Sequence, residues 1–173
     1  MLIKIISSVL IIICCSLLGI HMSYRYTQRI NNIRELRNVL SHLETEIVNY
    51  STLLVHAIRN SSKYVKGDWK PFFDNIVEAL ENRMEYSLAE VWQESLRALE
   101  HNPNVDKAEY EIMQRFGLQL GSSDKVSQEK YFQLIQEQLK VEENSAREAR
   151  LKYSRMYYNL GILLGLGIAI ILF

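Results

Sequence analysis

Two apolar runs bound this chain, and any fold it adopts has to place both. Leu2–Ile20 holds nineteen residues with one charge, Lys4, and Tyr157–Phe173 holds seventeen with none. The 136 residues between them carry 19 Lys/Arg and 20 Asp/Glu. A helix rises about 1.5 Å per residue, so the first run spans roughly 28 Å, close to the thickness of bilayer hydrocarbon. The second is at the short end of the spanning range. A helix buried in a water-soluble core shows a polar face, and the second run offers only Asn159. A transmembrane helix is therefore expected over 1–20 and another over 157–173. A cleaved leader would need small residues at a cleavage site after the first run, and none follows. Ile-Ile-Ile before Cys14 does not suit lipid attachment at that cysteine.

Charge around the runs predicts sidedness. Arg25, Arg29, Arg34 and Arg37 follow the first run, and Arg147, Arg150, Lys152 and Arg155 precede the second. The far sides offer only Lys4 with the amino terminus. The positive-inside rule places residues 21–156 in the cytoplasm of a cell membrane, with Tyr153, Tyr157 and Tyr158 at the level of an interfacial aromatic belt. The basic residues 25–37 also suit contact with anionic headgroups, although topology alone accounts for them. Gly161, Gly165 and Ala169 recur every four residues, a stripe that lets helix backbones approach closely in lipid. Cys14 and Cys15 are neighbours and read as small apolar residues.

The middle reads as all-α. Only Pro71 and Pro103 interrupt it. Ile33, Leu36, Leu40, Leu43, Ile47, Tyr50, Leu54 and Ala57 step by three and four, and so does a row from Phe132 to Leu160. The pattern predicts a helix over about 25–60, a loop at SSKYVKGD, and a helix over 69–83 with Pro71 in its first turn. Ser87 and Glu90 form a capping box that opens a helix from 88 to about 101. The next runs from about 105 to 119 and stops at Gly121. Ser122, Ser123 and Asp124 then cap one long helix to the last residue. Sustained spacing of this kind also builds coiled coils. Short helices bearing Trp69, Phe72, Phe73, Leu88 and Trp92, however, need a surface to cover those side chains. The expected architecture is an antiparallel helical bundle whose long first and last helices each continue into a membrane helix, with homo-oligomerisation open.

No chemistry is legible. His21, His42, His56 and His101 are scattered, and His42 with Glu46 forms one i,i+4 pair without a second motif to complete a metal site. Glu44 and Glu46 point to different sides of a helix, so they make no acid–base pair. No glycine loop cradles phosphate, and no nucleophile–base arrangement stands out. Catalytic, cofactor and metal residues are expected to be absent. A net charge of −1 in the middle gives no reason to expect nucleic acid. Glu137, Glu142, Glu143 and Glu148, with Lys140, Arg147 and Arg150, read as a solvated face.

Four stretches together resemble a known family: RELRNVLSHLETEI (34–47), FGLQLGSSD (116–124), AREARLKYSRMYYNLGILLGLG (146–167), and the apolar start leading into GIHMSYRY (19–26). The chain resembles the stage III sporulation protein AB family of endospore-forming bacteria. That resemblance implies a helical body similar to the cytoplasmic domains of the inner-membrane platform protein of type II secretion and type IV pili. It implies a non-enzymatic scaffold in the channel complex between mother cell and forespore, docking a secretion-type ATPase at the mother-cell membrane. The alternative is a membrane-anchored, oligomerising adaptor or sensor of another pathway. One departure stands out. Where the family has Gly and then Pro-Leu after Glu-x-Glu-Ile, this chain has Tyr50 and Leu53, which predicts a milder bend and a straighter first helix.

Overall fold

The computed structural model describes residues 2–82, 87–120 and 125–172; within these, the side chains of 2–9, 11, 12, 15, 16, 165, 166, 169, 171 and 172 are not described. Among the described residues every regular element is helical. The helices are α1 (Leu2–Glu44), α2 (Leu54–Ser62), α3 (Lys70–Asn82), α4 (Leu88–Arg97), α5 (Lys107–Gln119) and α6 (Lys125–Leu172). A π-helical turn, Thr45–Asn49, closes α1, and a 3₁₀ turn, Gly67–Trp69, opens α3. Among the described residues no helix is long and apolar enough to cross a membrane. The chain divides into two compact units, Asn31–Glu143 and Met1–Ile30 with Asn144–Phe173.

The unit Asn31–Glu143 is a helical bundle in which α2 packs on α3, α3 on α4 and α4 on α5. Arg34 of α1 pairs with Glu143 of α6 and Arg37 with Gln136, so partners descend α6 as they ascend α1 and the two run antiparallel. The buried stripe of α1 follows the expected spacing through Ile33, Leu36, Leu40 and Leu43. It then changes step. The next buried residue is Val48, five after Leu43, because one turn of π-helix holds an extra residue. Ile47, the position expected from the sequence, is only half-buried, and Tyr50 faces solvent.

The expected straight helix over 25–60 is thus overturned. Tyr50 donates to the Thr45 carbonyl and Thr52 to that of Glu46, ending the helix. Ser51 takes a positive φ of 52°, and Leu53 holds φ −55° and ψ 136° before α2 starts. Leu53 therefore has the backbone angles of a proline without being one, and the bend survives the change of residues.

The other boundaries follow from local chemistry. Ser87 accepts from the Glu90 amide while the Glu90 carboxylate accepts from the Ser87 amide, the box expected at the start of α4. Asp106 and Glu109 form a second box at α5, which the sequence reading missed. Regular α4 ends at Arg97 rather than near 101, and turns carry the chain onward. The expected stop at Gly121 and cap at Ser122–Asp124 lie outside the described residues.

Between the helices lies an aromatic chain. Phe72 meets Trp69, Phe73 and Trp92 edge-on, with centroids 4.9–5.8 Å apart. Phe116 links Trp92 to Phe132 at 5.5 and 5.2 Å. The Trp92 indole N–H donates to the Met113 carbonyl at 2.8 Å, so its polar atom is satisfied inside an apolar core.

In the other unit, parts of α1 and α6 pair. Gly19 is buried, and a Cβ there would lie 2.7 Å from the Tyr157 carbonyl oxygen and 3.4 Å from the Gly161 Cα. Ser23 and Ser154 share a hydrogen bond between hydroxyls. Tyr26 stacks on Tyr153 at 5.8 Å and Tyr157 at 6.0 Å. Gly161 is buried; the side-chain positions of Gly165 and Ala169 lie outside the described residues.

Candidate interaction surface

Among the described residues no group of three or more His, Cys, Asp or Glu side chains is placed to hold a metal ion. His42 does not pair with Glu46 as expected. Its ring stacks on Tyr64 at 4.2 Å. Glu46 instead holds the bend: its carboxylate accepts from Thr52 Oγ1 at 2.8 Å and from Asn60 Nδ2 at 3.2 Å. Glu44 lies apart from it, near Glu129, and burial followed by that neighbouring charge raises its pKa. The two carboxylates thus serve different surroundings.

Two further polar groups are structural. Asp68 accepts from Asn32 at 2.7 Å, Asn102 at 3.2 Å and Asn104 at 3.3 Å. Asn32 also donates to the Asn104 carbonyl at 2.9 Å, so one knot fastens two connections to α1. Glu35 approaches Gly67, where a Cβ would stand 2.8 Å from its Oε2. Burial first, then the charge of Asp68, raises the Glu35 pKa, with Lys66 opposing. Gly67 has φ +60°, so glycine suits it on two counts.

Glu143 corrects the sequence reading most sharply. It was expected on a solvated face, yet it is 4 % exposed. It accepts from Arg34 Nε and Arg37 Nη1, each at 2.7 Å. Two of the arginines that predicted sidedness are therefore pinned to α6. The Glu137–Lys140 pair at 3.3 Å is where the solvated face was expected.

The bundle also carries exposed apolar surface. Tyr50 is 71 % exposed and Leu53 73 %, above every other large apolar side chain among the described residues of Asn31–Glu143. The turn that presents them is fastened by Glu46 and by Lys125 Nζ, which donates to Ser51 Oγ at 3.4 Å. On α6, Val126, Leu134 and Val141 are exposed. They form an outward row with Lys130 and Glu137, at spacings of four, four, three and four. Beside it, Leu118, Tyr131, Leu134 and Ile135 line a hollow of about 250 Å³.

The comparisons with known proteins agree on one lineage. The sequence model described as stage III sporulation protein AB matches residues 4–173. The chain belongs to the stage III sporulation protein AB family. A relative with that description from Bacillus subtilis (strain 168) is 31 % identical over 169 residues, covering 98 % of each chain. A solved structure titled stage III sporulation protein AB (SpoIIIAB) matches with a TM-score of 0.66 and 30 % identity. It covers 72 % of this chain and 98 % of its own. Within the family's stretches, Leu36, Leu40 and Leu43 lie in the core and Glu46 at the bend, while Phe116 and Gly117 lie beneath Trp92. Gly19 and Ser23 were missed by the sequence reading. The signal was available as small residues at 19 and 23 followed by Tyr26, one face of a helix by spacing alone.

Proposed function

We propose that this chain is a non-enzymatic platform subunit of a sporulation channel complex, held in the mother-cell membrane by Leu2–Ile20 and Tyr157–Phe173. Residues 21–156 form its cytoplasmic body and dock a secretion-type ATPase. Three things support the reading. The family match runs through both apolar ends. Those ends carry a single charge between them. A solved family member matches almost in full while covering 72 % of this chain, in keeping with a body that folds on its own.

The observation that carries docking is the exposed pair Tyr50 and Leu53. Leaving two large apolar side chains in water forgoes about 1.5–3 kcal/mol each, which a partner recovers by covering them. They sit on a fastened turn, so little ordering is needed on binding. The ATPase should be recovered with the full-length chain from sporulating cells. Recovery should fall with Tyr50→Ser/Leu53→Ser and vanish when 21–156 is deleted. Equal recovery with that deletion would contradict the proposal.

The rival reading, an adaptor that oligomerises through its long helices, meets a physical obstacle on α6. Copies anchored in one membrane would pair α6 in parallel. That alignment sets Lys130 against Lys130 and Glu137 against Glu137 within the apolar row. The row suits a different chain better than a second copy.

A further inference from the structure

The geometry points to the seam at Gly19 and Gly161 as the place where the chain's two membrane helices pair with each other, so that one chain enters the bilayer as a closed two-helix hairpin. This rests on the proposal that both ends are embedded, and it names the partner of the small-residue row on α6: the same chain's first helix, not another subunit.

Four contacts carry it. The Gly19 position leaves no room for a side chain, since a Cβ would stand 2.7 Å from the Tyr157 carbonyl oxygen and 3.4 Å from the Gly161 Cα. One turn along α1, Ser23 bonds to Ser154. One further turn along, Tyr26 stacks on Tyr153 and on Tyr157. As residue numbers rise on α1 they fall on α6, so a single antiparallel register satisfies all four. In lipid no hydrophobic effect drives helices together, and backbone approach at glycine with hydroxyl bonds supplies the attraction instead. Gly19 and Gly161 are residues of that kind inside the spans, Gly165 and Ala169 continue the row in sequence, and Ser23 with Ser154 extends the same register just outside them. Leu17, Leu18, Leu163 and Leu164 are exposed. The hairpin therefore turns large apolar side chains outward and consumes its small ones.

The test uses the full-length chain in phosphatidylethanolamine–phosphatidylglycerol vesicles. In a Cys14→Ala/Cys15→Ala background, Ser23→Cys with Ser154→Cys is oxidised and read on a non-reducing gel. A crosslink within the monomer band, unchanged on dilution in lipid, is expected. Gly19→Leu should abolish it, while Gly167→Leu, where a Cβ meets nothing within 4 Å, should leave it intact. A crosslink only between chains, fading with dilution, overturns the inference, and so does no crosslink at all. Circular dichroism confirms that the Gly19→Leu body is still folded. Embedding is read separately with native Cys14, an exposed side chain. Protection from an aqueous maleimide in vesicles, with labelling after detergent denaturation, supports the span. Labelling in intact vesicles sinks the span itself, whatever the crosslinks show.

Discussion

The Trp92 ring lies so close to Gly117 that a Cβ on the glycine would stand 2.0 Å from Trp92 Cδ1. The indole is held there by its bond to the Met113 carbonyl and by Phe72 and Phe116, so it has no free direction in which to retreat. Gly117→Ala should destabilise the bundle by about 1–3 kcal/mol or more, the range for overpacking a dense core. Urea unfolding measures it. Stability equal to the parent would mean that Trp92 relaxes without cost. Gly167→Ala, in open space, is the control for adding a methyl group to a helix.

Glu143 receives two guanidinium groups from α1. Arg34 and Arg37 keep part of their surface in water, so removing the carboxylate lets them rehydrate rather than stranding them. Glu143→Ala should lose about 1–3 kcal/mol. A double-mutant cycle with Arg37→Ala should give a coupling of about 0.5 kcal/mol or more. Additive losses would show that Glu143 acts through packing alone.

How much of this was legible depends on how far each cause reaches along the chain. Ser87 with Glu90, Pro71 in the first turn of α3 and the stripe from Ile33 to Leu43 are set within a turn or two, and periodicity finds them. The register slip from Ile47 to Val48 comes from one extra residue in a π-turn, for which no residue type is a marker. Leu53 adopts proline's angles because Glu46, Thr52 and Asn60 hold the bend through side chains up to fourteen positions apart. Glu143 looked solvated because its partners lie 106 and 109 residues away. The Gly19–Gly161 seam is half visible: the row on α6 shows in the sequence, but its partner on α1 requires knowing that the two ends meet.

The angles at the bend make a prediction of their own. With φ at −55°, Leu53→Pro fits the native backbone and restricts the unfolded chain. It should be neutral or stabilise by up to about 1 kcal/mol. Ser51→Gly removes the strain of a positive φ and should shift stability by no more than about 1 kcal/mol. A drop in thermal midpoint for Leu53→Pro would mean that the bend does not hold these angles in solution.

Glu35 gives a pH signature. Burial and the nearby Asp68 charge raise its pKa in the folded state above the ordinary 4.5. The fold therefore holds the proton more tightly than the unfolded chain does, and the ionised form works against folding at neutral pH. That unfavourable contribution fades as pH falls through the raised pKa and is gone below about 4.5, the ordinary value. Glu35→Gln should raise the thermal midpoint at pH 7 by a few degrees at most, about 4 °C as an upper bound for a chain of this size. The gap to the parent should close on acidification towards pH 4. A gap that stays constant with pH would assign the effect to shape rather than charge. A lower midpoint at pH 7 would mean that the Glu35 carboxylate is better satisfied than its surroundings imply.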